Sequence, residues 1–250
     1  MPAAEGMAGL AKGLAILEHF GQARPSLTIS EAAELTGLSR AVARRCLLTL
    51  VEVGYLTHDG RYFAPTPRLL RLGDAYVEST ALPQLAGPHL AAVRENVQES
   101  ASLAVLQNDD ALFIARSEAR RIVNTGVRVG AAVPAYASAT GHVLLAGLTE
   151  ADLEVYLARC TPQPRTPKTP RTAAEIRDRV HRAREERAAF TDEELEYGLR
   201  SLAVPVLDSR NHVVAAMSVS ATAARISMSR MRKDFLPILH EQADLLGRKL

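Results

Sequence analysis

Residues 27–71 read LTISEAAELTGLSRAVARRCLLTLVEVGYLTHDGRYFAPTPRLLR, and this stretch decides the fold of the first part of the chain. Thr28 or Ser30 can cap a short helix, and Gly37 follows at a position where a left-handed residue ends a helix. Ser39 can cap a second helix, in which apolar residues recur at helical spacing and face the first helix. Two short helices joined by a glycine turn are typical of a helix-turn-helix.

A hairpin is expected directly after the second helix. Gly54 ends that helix, and Asp59-Gly60 between two short apolar runs predicts a type I′ turn. Arg61 follows this turn. The hairpin is in the position of the wing in a winged helix-turn-helix, an element whose second helix enters the major groove of duplex DNA.

Positive charge is concentrated in the same stretch. Residues 1–80 contain eight Lys and Arg against eight Asp and Glu, whereas residues 39–71 contain six arginines against two acidic residues. The excess of positive charge therefore lies where the phosphates of DNA would lie. We expect contacts with double-stranded DNA from the start of the second helix and from the wing, at Ser39, Arg40, Ala41, Arg44, Arg45 and Arg61.

Two alternatives stay open for these arginines. Each can bridge a guanine edge or bind a phosphate, and the residue type does not separate the two roles. The other interpretation is a helix-turn-helix that makes only protein contacts, with the arginines as a solvated face.

Length and composition limit the class of protein. The 250 residues, 47% of them hydrophobic, are enough for two packed domains. We expect a DNA-binding domain over residues 1–65, a linker helix over 66–80 and a second domain over 81–250. The absence of an apolar run near 18 residues or a secretory segment predicts a cytoplasmic protein that makes no membrane contact.

An apolar stripe precedes the helix-turn-helix. Leu10, Leu14, Leu17 and Phe20 stand at helical spacing. We expect a helix that completes the core of the first domain and pairs with its copy in a dimer.

The second part of the chain changes its hydrophobic period several times, which predicts a mixed α/β domain. A hairpin signal at residues 108–110 separates two of the expected strands. The prolines of 159–171 predict a loop. The expected helices cover 85–97, 138–148, 173–188 and a C-terminal segment from 236, and the expected strands cover 102–106, 111–115, 122–129, 202–207 and 213–219.

The sequence offers little for catalysis. It has no nucleotide-binding loop, no zinc-protease motif and no hydrolase elbow, and neither its histidines nor its two cysteines have metal-ligand spacing. We therefore expect no catalytic residue, no metal and no cofactor. An enzyme domain with Ser138, His142 and Asp192 as a hydrolytic set is one alternative function, and a ligand-free DNA-binding protein is another. The acidic residues after Asp192 are expected on a solvated face: Glu193, Glu194 and Glu196.

Small-anion binding is better supported. Residues 138–141, Ser-Ala-Thr-Gly, open an expected helix and offer hydroxyls, backbone N–H groups and the positive end of a helix dipole. An ordinary helix cap is the alternative. Ser218 and Ser220 share one face of a strand because side chains alternate along it, and Ser201 lies on the preceding strand. Convergence of these groups would form a pocket for a small acid.

Four segments together resemble the IclR-type bacterial transcriptional regulators over nearly the whole chain. They are GLAILEHF at 13–20, the helix-turn-helix, PAYASATGHVLLAGL at 134–148 and DEELEYGLRSLAVPVLDSRNHVVAAMSVSATAARIS at 192–227. The last two are most similar to the PcaR/PcaU/PobR subgroup, which controls the catabolism of protocatechuate, hydroxybenzoate and β-ketoadipate.

The resemblance implies a GAF-like α/β effector domain, and a homodimer or a dimer of dimers. It also implies effector contacts at Ala139, Thr140, Leu199, Ser201, Ser218 and Ser220, with Ile122 and Thr125 as weaker candidates. Thr191 stands where some members carry an acidic residue, so a fixed negative charge is missing. His142 stands where relatives usually have Lys or Arg, so a positive charge is missing or depends on pH.

The expected function follows from both lines of reasoning. We expect a regulator of an aromatic-acid or β-ketoadipate catabolic operon that binds a double-stranded DNA operator and responds to a small organic acid.

Overall fold

The computed structural model describes residues 6–21, 23–119 and 127–250. Its contacts divide the chain into two compact units, Met1–Tyr76 and Val77–Leu250. No helix in the described part of the chain is long and apolar enough to cross a bilayer.

The first unit is a winged helix-turn-helix, as its sequence predicts. Thr28 caps the second helix in a capping box with Glu31, Gly37 ends it at φ +65°, and Ser39 caps the third. Ile16, which is fully buried, belongs to the core that joins the helices to the wing. The elements are helices α1 (Ala8–Leu17), α2 (Ile29–Thr36) and α3 (Arg40–Glu52), strands β1 (Leu56–His58) and β2 (Phe63–Pro65), a 3-10 turn (Pro67–Leu69) and helix α4 (Leu70–Ser79).

The prediction of a type I′ turn in the wing is wrong. His58 pairs with Phe63, so the loop has four residues, and Asp59 lacks the positive φ that a type I′ turn requires. The Asp59 carboxylate instead accepts hydrogen bonds from the backbone N–H groups of Arg61, at 2.9 Å, and Tyr62, at 2.7 Å. The side chain closes the turn, in which Gly60, at φ +102°, has a positive φ and Asp59 does not.

The prediction that the apolar stripe of α1 completes the core of the first domain is only partly correct. Leu17 and Phe20 pack against the core, but Leu10 is 62% and Leu14 47% exposed. Ile16 provides the buried contact of α1 with the core instead. The stripe therefore leaves two leucines on the surface of this unit.

The second unit is a six-stranded antiparallel sheet with helices on both faces. Its strand order is β5-β4-β3-β8-β7-β6, which confirms the mixed α/β class. The strands are β3 (Ala101–Gln107), β4 (Asp110–Ser117), β5 (Ala132–Pro134), β6 (Ala189–Asp192), β7 (Leu199–Leu207) and β8 (Val213–Thr222). The helices are α5 (Ala81–Val97), α6 (Ala139–Ala146), α7 (Glu150–Arg159), α8 (Ala173–Glu186), α9 (Met228–Arg230) and α10 (Leu236–Gly247), with a 3-10 turn at Ala135–Ala137 and a π turn at Met231–Phe235.

The two faces of this sheet differ in side-chain size. Helices α5 and α10 pack with the large residues of one face, among them Leu103, Met217 and Val204. Helix α6 packs on the other face, where Ala104, Ala203 and Ala216 are fully buried. Small side chains let the helix approach the sheet closely.

Several elements differ from expectation. Of the strand expected over 122–129, residues 122–126 lie outside the described part, and 127–129 are irregular. The strand next to β4 on the side away from β3 is instead β5. Helix α7 and strand β6 are additional. Strand β6 has only four residues, too few to show a clear alternation.

Candidate DNA-binding helix and effector cavity

Helix α3 exposes the basic residues that the sequence assigns to DNA. Ala43 and Leu47 are fully buried and fix the orientation of the helix, so Arg40, Arg44 and Arg45 lie exposed to solvent. Ala41 is exposed beside them. The Ser39 hydroxyl accepts a hydrogen bond from the Val42 N–H and so caps the helix. This arrangement presents three guanidinium groups near the start of one helix.

The wing adds arginines beside aromatic rings. The Arg61 guanidinium lies 5.0 Å from the centre of the Tyr62 ring at the tip, and the Arg68 guanidinium lies 5.2 Å from the Tyr55 ring. Cation–π contacts of this kind orient a charge without neutralising it. The wing arginines therefore keep their charge available for phosphates.

An apolar groove, the α1–α3 groove, runs between α1 and α3 in the first unit. Its volume is about 760 Å³. Leu10, Leu14, Val53 and Leu72 line it with exposed apolar surface, and Arg45 borders it. An exposed apolar surface of this kind is typical of an interaction site.

One cavity of the second unit, the effector cavity, brings together all six predicted effector contacts. Helix α6 contributes its first residues, and strands β7 and β8 contribute hydroxyls from the face on which α6 packs. The lining consists of Ala139, Thr140, Leu199, Ser201, Ser218 and Ser220, together with Ser138, Thr191, Phe113, Val127, Val133 and Leu195. Ile122 and Thr125 lie outside the described residues.

Several lining residues were not identified from the sequence. Phe113, on β4, and Val133, on β5, form an apolar wall, and Leu195 follows β6. The alternation along β4 places Phe113 on the same face as the serines, a signal that becomes useful only once the strand order is known.

The effector cavity is nearly filled by its own side chains. Its free volume is about 20 Å³, and a single water needs roughly 10–15 Å³. Entry of a larger molecule therefore requires the lining to move apart.

Four hydroxyls of the effector cavity, those of Ser138, Thr140, Ser201 and Ser220, are bonded to one another or to the backbone. Ser201 and Ser220 share a hydrogen bond of 2.9 Å between their Oγ atoms. Ser138 Oγ donates to the Pro134 carbonyl and accepts from the Gly141 N–H, each at 3.1 Å. Thr191 is opposite Ser201 in the register of β6 and β7. Within the described part of the chain, the lining presents hydroxyls and apolar groups and carries no charged side chain.

Both units match one family. Residues 74–248 match the family described as bacterial transcriptional regulator IclR C-terminal, and residues 9–60 match the IclR helix-turn-helix domain. The chain belongs to the IclR family.

Two regulators are similar to this IclR-family chain over nearly its whole length. The Pca regulon regulatory protein of Pseudomonas putida is 38% identical over 234 residues, covering 93% of this chain and 80% of that protein. The p-hydroxybenzoate hydroxylase transcriptional activator of Acinetobacter baylyi is 36% identical over 250 residues, covering 96% of this chain and 90% of that protein. The resemblance seen in the sequence is therefore confirmed, and the chain is a transcriptional regulator rather than an enzyme.

A solved structure supports the same assignment. The IclR homolog complexed with 4-hydroxybenzoate from Microbacterium hydrocarbonoxydans has a TM-score of 0.78 and 26% identity to this chain. The match covers 96% of this chain and 98% of that one.

The alternative hydrolytic set is not assembled. Ser138 is occupied as a helix cap, and His142 Nε2 donates to the Tyr136 carbonyl at 2.8 Å. Asp192 bonds Arg200 at 2.6 Å and Lys168 at 3.0 Å. No side chain of the set is hydrogen-bonded to another side chain of the set, so no base is positioned to activate the serine. Within the described residues, no group of three or more His, Cys, Asp or Glu is arranged to hold a metal ion.

The prediction that the acidic residues after Asp192 lie on a solvated face is wrong for Glu194. Its side chain is buried, and its carboxylate accepts from Arg179 Nε at 2.8 Å. Burial raises the pKa of this carboxyl, and the arginine only partly offsets that effect. Glu193 behaves differently, because hydrogen bonds from Lys168 and the Gly198 N–H lower its pKa.

Of the two alternatives expected at His142, the structure favours a missing positive charge over a pH-dependent one near neutral pH. The ring is 1% exposed, and burial lowers its pKa from 6.5 to about 4. The hydrogen bond to the Tyr136 carbonyl requires a proton on Nε2, so the neutral ring has Nδ1 unprotonated. The residue therefore fills space beneath the start of α6 as a neutral group.

This burial predicts a pH dependence of stability. Between pH 6.5 and 4 the unfolded chain binds a proton that His142 does not bind in the folded state, so the free energy of unfolding falls as the pH is lowered, by up to about 3 kcal/mol from this residue. NMR of the imidazole should show a neutral, Nε2-protonated ring from pH 8 to 5. Denaturant unfolding of His142→Gln should lose this part of the pH dependence. A ring that titrates near pH 6.5 would contradict the assignment.

Proposed function

We propose that this IclR-family regulator binds an operator in double-stranded DNA through α3 and the wing, and that a small aromatic carboxylic acid in the effector cavity controls this binding. The observation that carries the proposal is the convergence of α6 with the serines of β7 and β8 around one cavity. We assign DNA binding to residues 1–65, a linker to 66–80 and effector binding to 81–250. A regulator that binds chromosomal operators acts in the cytoplasm.

The relatives support an aromatic-acid or β-ketoadipate catabolic operon as the target. One relative is the regulator of a Pca regulon, and another activates p-hydroxybenzoate hydroxylase. The structure with 4-hydroxybenzoate adds a benzoate as the bound molecule of a homologue. We therefore take 4-hydroxybenzoate as the first effector to test.

The chemistry of the effector cavity fits both parts of such a molecule. The carboxylate accepts hydrogen bonds from the serine hydroxyls and from the N–H groups at the start of α6. The ring lies against Phe113, Val133 and Leu195. Since the cavity is nearly filled, the acid must displace part of its lining, and a ligand that binds only the wider state shifts the protein toward it.

The α1–α3 groove supports a homodimer, or a tetramer built from dimers. Two copies that meet along exposed leucines present two α3 helices, and a two-part operator with half-sites spaced by helical turns fits such a pair.

The arginines of α3 test DNA binding. Arg44→Ala and Arg45→Ala should each weaken operator binding, measured by fluorescence anisotropy at several salt concentrations. Loss of a phosphate contact should lower the salt slope by about one, whereas loss of a base contact should cost roughly 1–3 kcal/mol at one position of the operator. Arg94→Ala, on α5 of the other unit, removes the same charge and should bind as the wild type does. Unchanged affinity in both α3 variants would exclude this helix from the interface.

The serines of β8 test effector binding. The double variant Ser218→Ala, Ser220→Ala should bind 4-hydroxybenzoate at least about tenfold more weakly in calorimetry, because each lost charge-assisted hydrogen bond is worth about 1.5–3 kcal/mol. The ligand-induced rise in Tm should shrink with it. Ser209→Ala, in the exposed turn after β7, is the matched control. If the double variant keeps the wild-type affinity, the acid binds elsewhere.

Leu14 tests the dimer. Leu14→Glu places a charge in the α1–α3 groove and should convert the dimer to a monomer in light scattering, because an unpaired charge is expensive to bury in an interface. Val155→Glu changes an exposed apolar residue on α7 of the other unit and should leave the mass unchanged. A wild-type chain that is monomeric while it saturates its operator refutes the dimer.

A further inference from the structure

The described residues that line the effector cavity supply no positive charge for the acid that the proposed function places in it. They provide hydroxyls, small residues and apolar side chains. Moving a carboxylate from water into such surroundings is costly unless a charge or several donors compensate it. This inference rests on the proposed function and concerns the source of that compensation.

A buried guanidinium lies in line with the serines. Arg116 of β4 is opposite Ser102 of β3, and Ser102 is opposite Ser218 of β8. Residues directly opposite one another share a face of the sheet. Arg116 Nη1 donates to Ser102 Oγ at 3.0 Å, so the side chain is on that shared face. Ser218 lines the effector cavity from the same face.

The distance from this charge to the effector cavity is short. One hydrogen bond joins the guanidinium to Ser102, and one strand spacing of about 5 Å separates Ser102 from Ser218. The charge therefore lies roughly 8 Å from the Ser218 hydroxyl, within the Debye length of about 10 Å at 0.1 M salt.

Burial preserves the field of this charge. The side chain of Arg116 is 5% exposed, and Ser102 and Ser218 are each 3% exposed, so protein rather than water fills the space between them. Glu118 pairs with Arg116 Nε at 3.2 Å, but its side chain is 56% exposed. Water screens the carboxylate of Glu118 more strongly than it screens the path toward Ser218.

We propose that Arg116 is the specificity-determining countercharge of the effector cavity, which selects carboxylates over neutral aromatic ligands by acting through Ser102 and Ser218. Arg116 is a positioning residue in this arrangement. It orients the Ser102 hydroxyl and biases the site toward an anion, and the acid itself contacts Ser218.

A pair of isosteric ligands tests the role of charge. Calorimetry with the full-length protein should show that the wild type binds 4-hydroxybenzoate at least about tenfold more tightly than 4-hydroxybenzamide. Arg116→Gln and Arg116→Met should reduce this ratio to nearly one, chiefly by weakening the binding of the carboxylate. Arg116→Lys, which keeps the charge, should keep most of the preference. Arg94→Gln is the control for charge loss elsewhere and should keep the wild-type ratio.

The ratio of the two ligand affinities distinguishes loss of the Arg116 charge from misfolding of the variant. A variant that is partly misfolded loses both ligands equally and leaves the ratio unchanged. Glu118→Gln changes an exposed residue and should leave the packing of the core intact. Because it removes a carboxylate that competes for Arg116, it should raise the ratio by about two- to fivefold.

Two results would overturn the role of Arg116. The first is a wild-type ratio near one. The second is a ratio that is the same in the wild type, in a folded Arg116→Gln or Arg116→Met variant, and in Glu118→Gln. A wild-type protein that binds neither ligand instead refutes the proposed effector class.

Discussion

The close approach of α6 to the sheet determines the candidate effector site. A Cβ on Gly141 would lie 2.2 Å from Ala135 Cα, so only glycine allows the helix to pass the preceding turn at this distance. The buried alanines Ala104 and Ala216 leave room for the same helix on the sheet. Because the helix cannot move outward without opening this packing, its first residues remain over the serines of β7 and β8. The anion-binding end of a helix and a row of hydroxyls meet for this reason.

The same packing explains the chemistry of His142. The residue lies one turn into α6, where the helix is tightest against its surroundings, and its ring is excluded from water. A cation at this position would be buried, and burial disfavours the charged form. The neutral ring instead satisfies the Tyr136 carbonyl. Among the described residues, Arg116 on β4 carries a positive charge near the effector cavity, and its side chain is buried on the same face of the sheet.

Sequence patterns predicted the parts of this protein that depend on local rules. The caps at Thr28 and Ser138, the left-handed Gly37 and the alternation that puts Ser218 and Ser220 on one face follow from a few neighbouring residues each. Parts that depend on tertiary contacts could not be derived in this way. Phe113 lines the effector cavity because β4 is next to β3 in the sheet, and Glu194 is buried because Arg179 of α8 reaches it.

An uncharged lining has an advantage when the effector is absent. Ser201 and Ser220 bond one another, and among the described residues no buried side-chain nitrogen or oxygen lacks a hydrogen-bond partner. A lysine or arginine in the wall would be left buried and unpaired in that state, at a cost of several kcal/mol. Arg116 avoids this cost because Glu118 and Ser102 hold it in place when no acid is present. The ligand-free state can thus be stable and closed, and the acid has to replace hydrogen bonds that already exist. A regulator needs two states of similar free energy, and hydroxyls that can bond either one another or a carboxylate provide both.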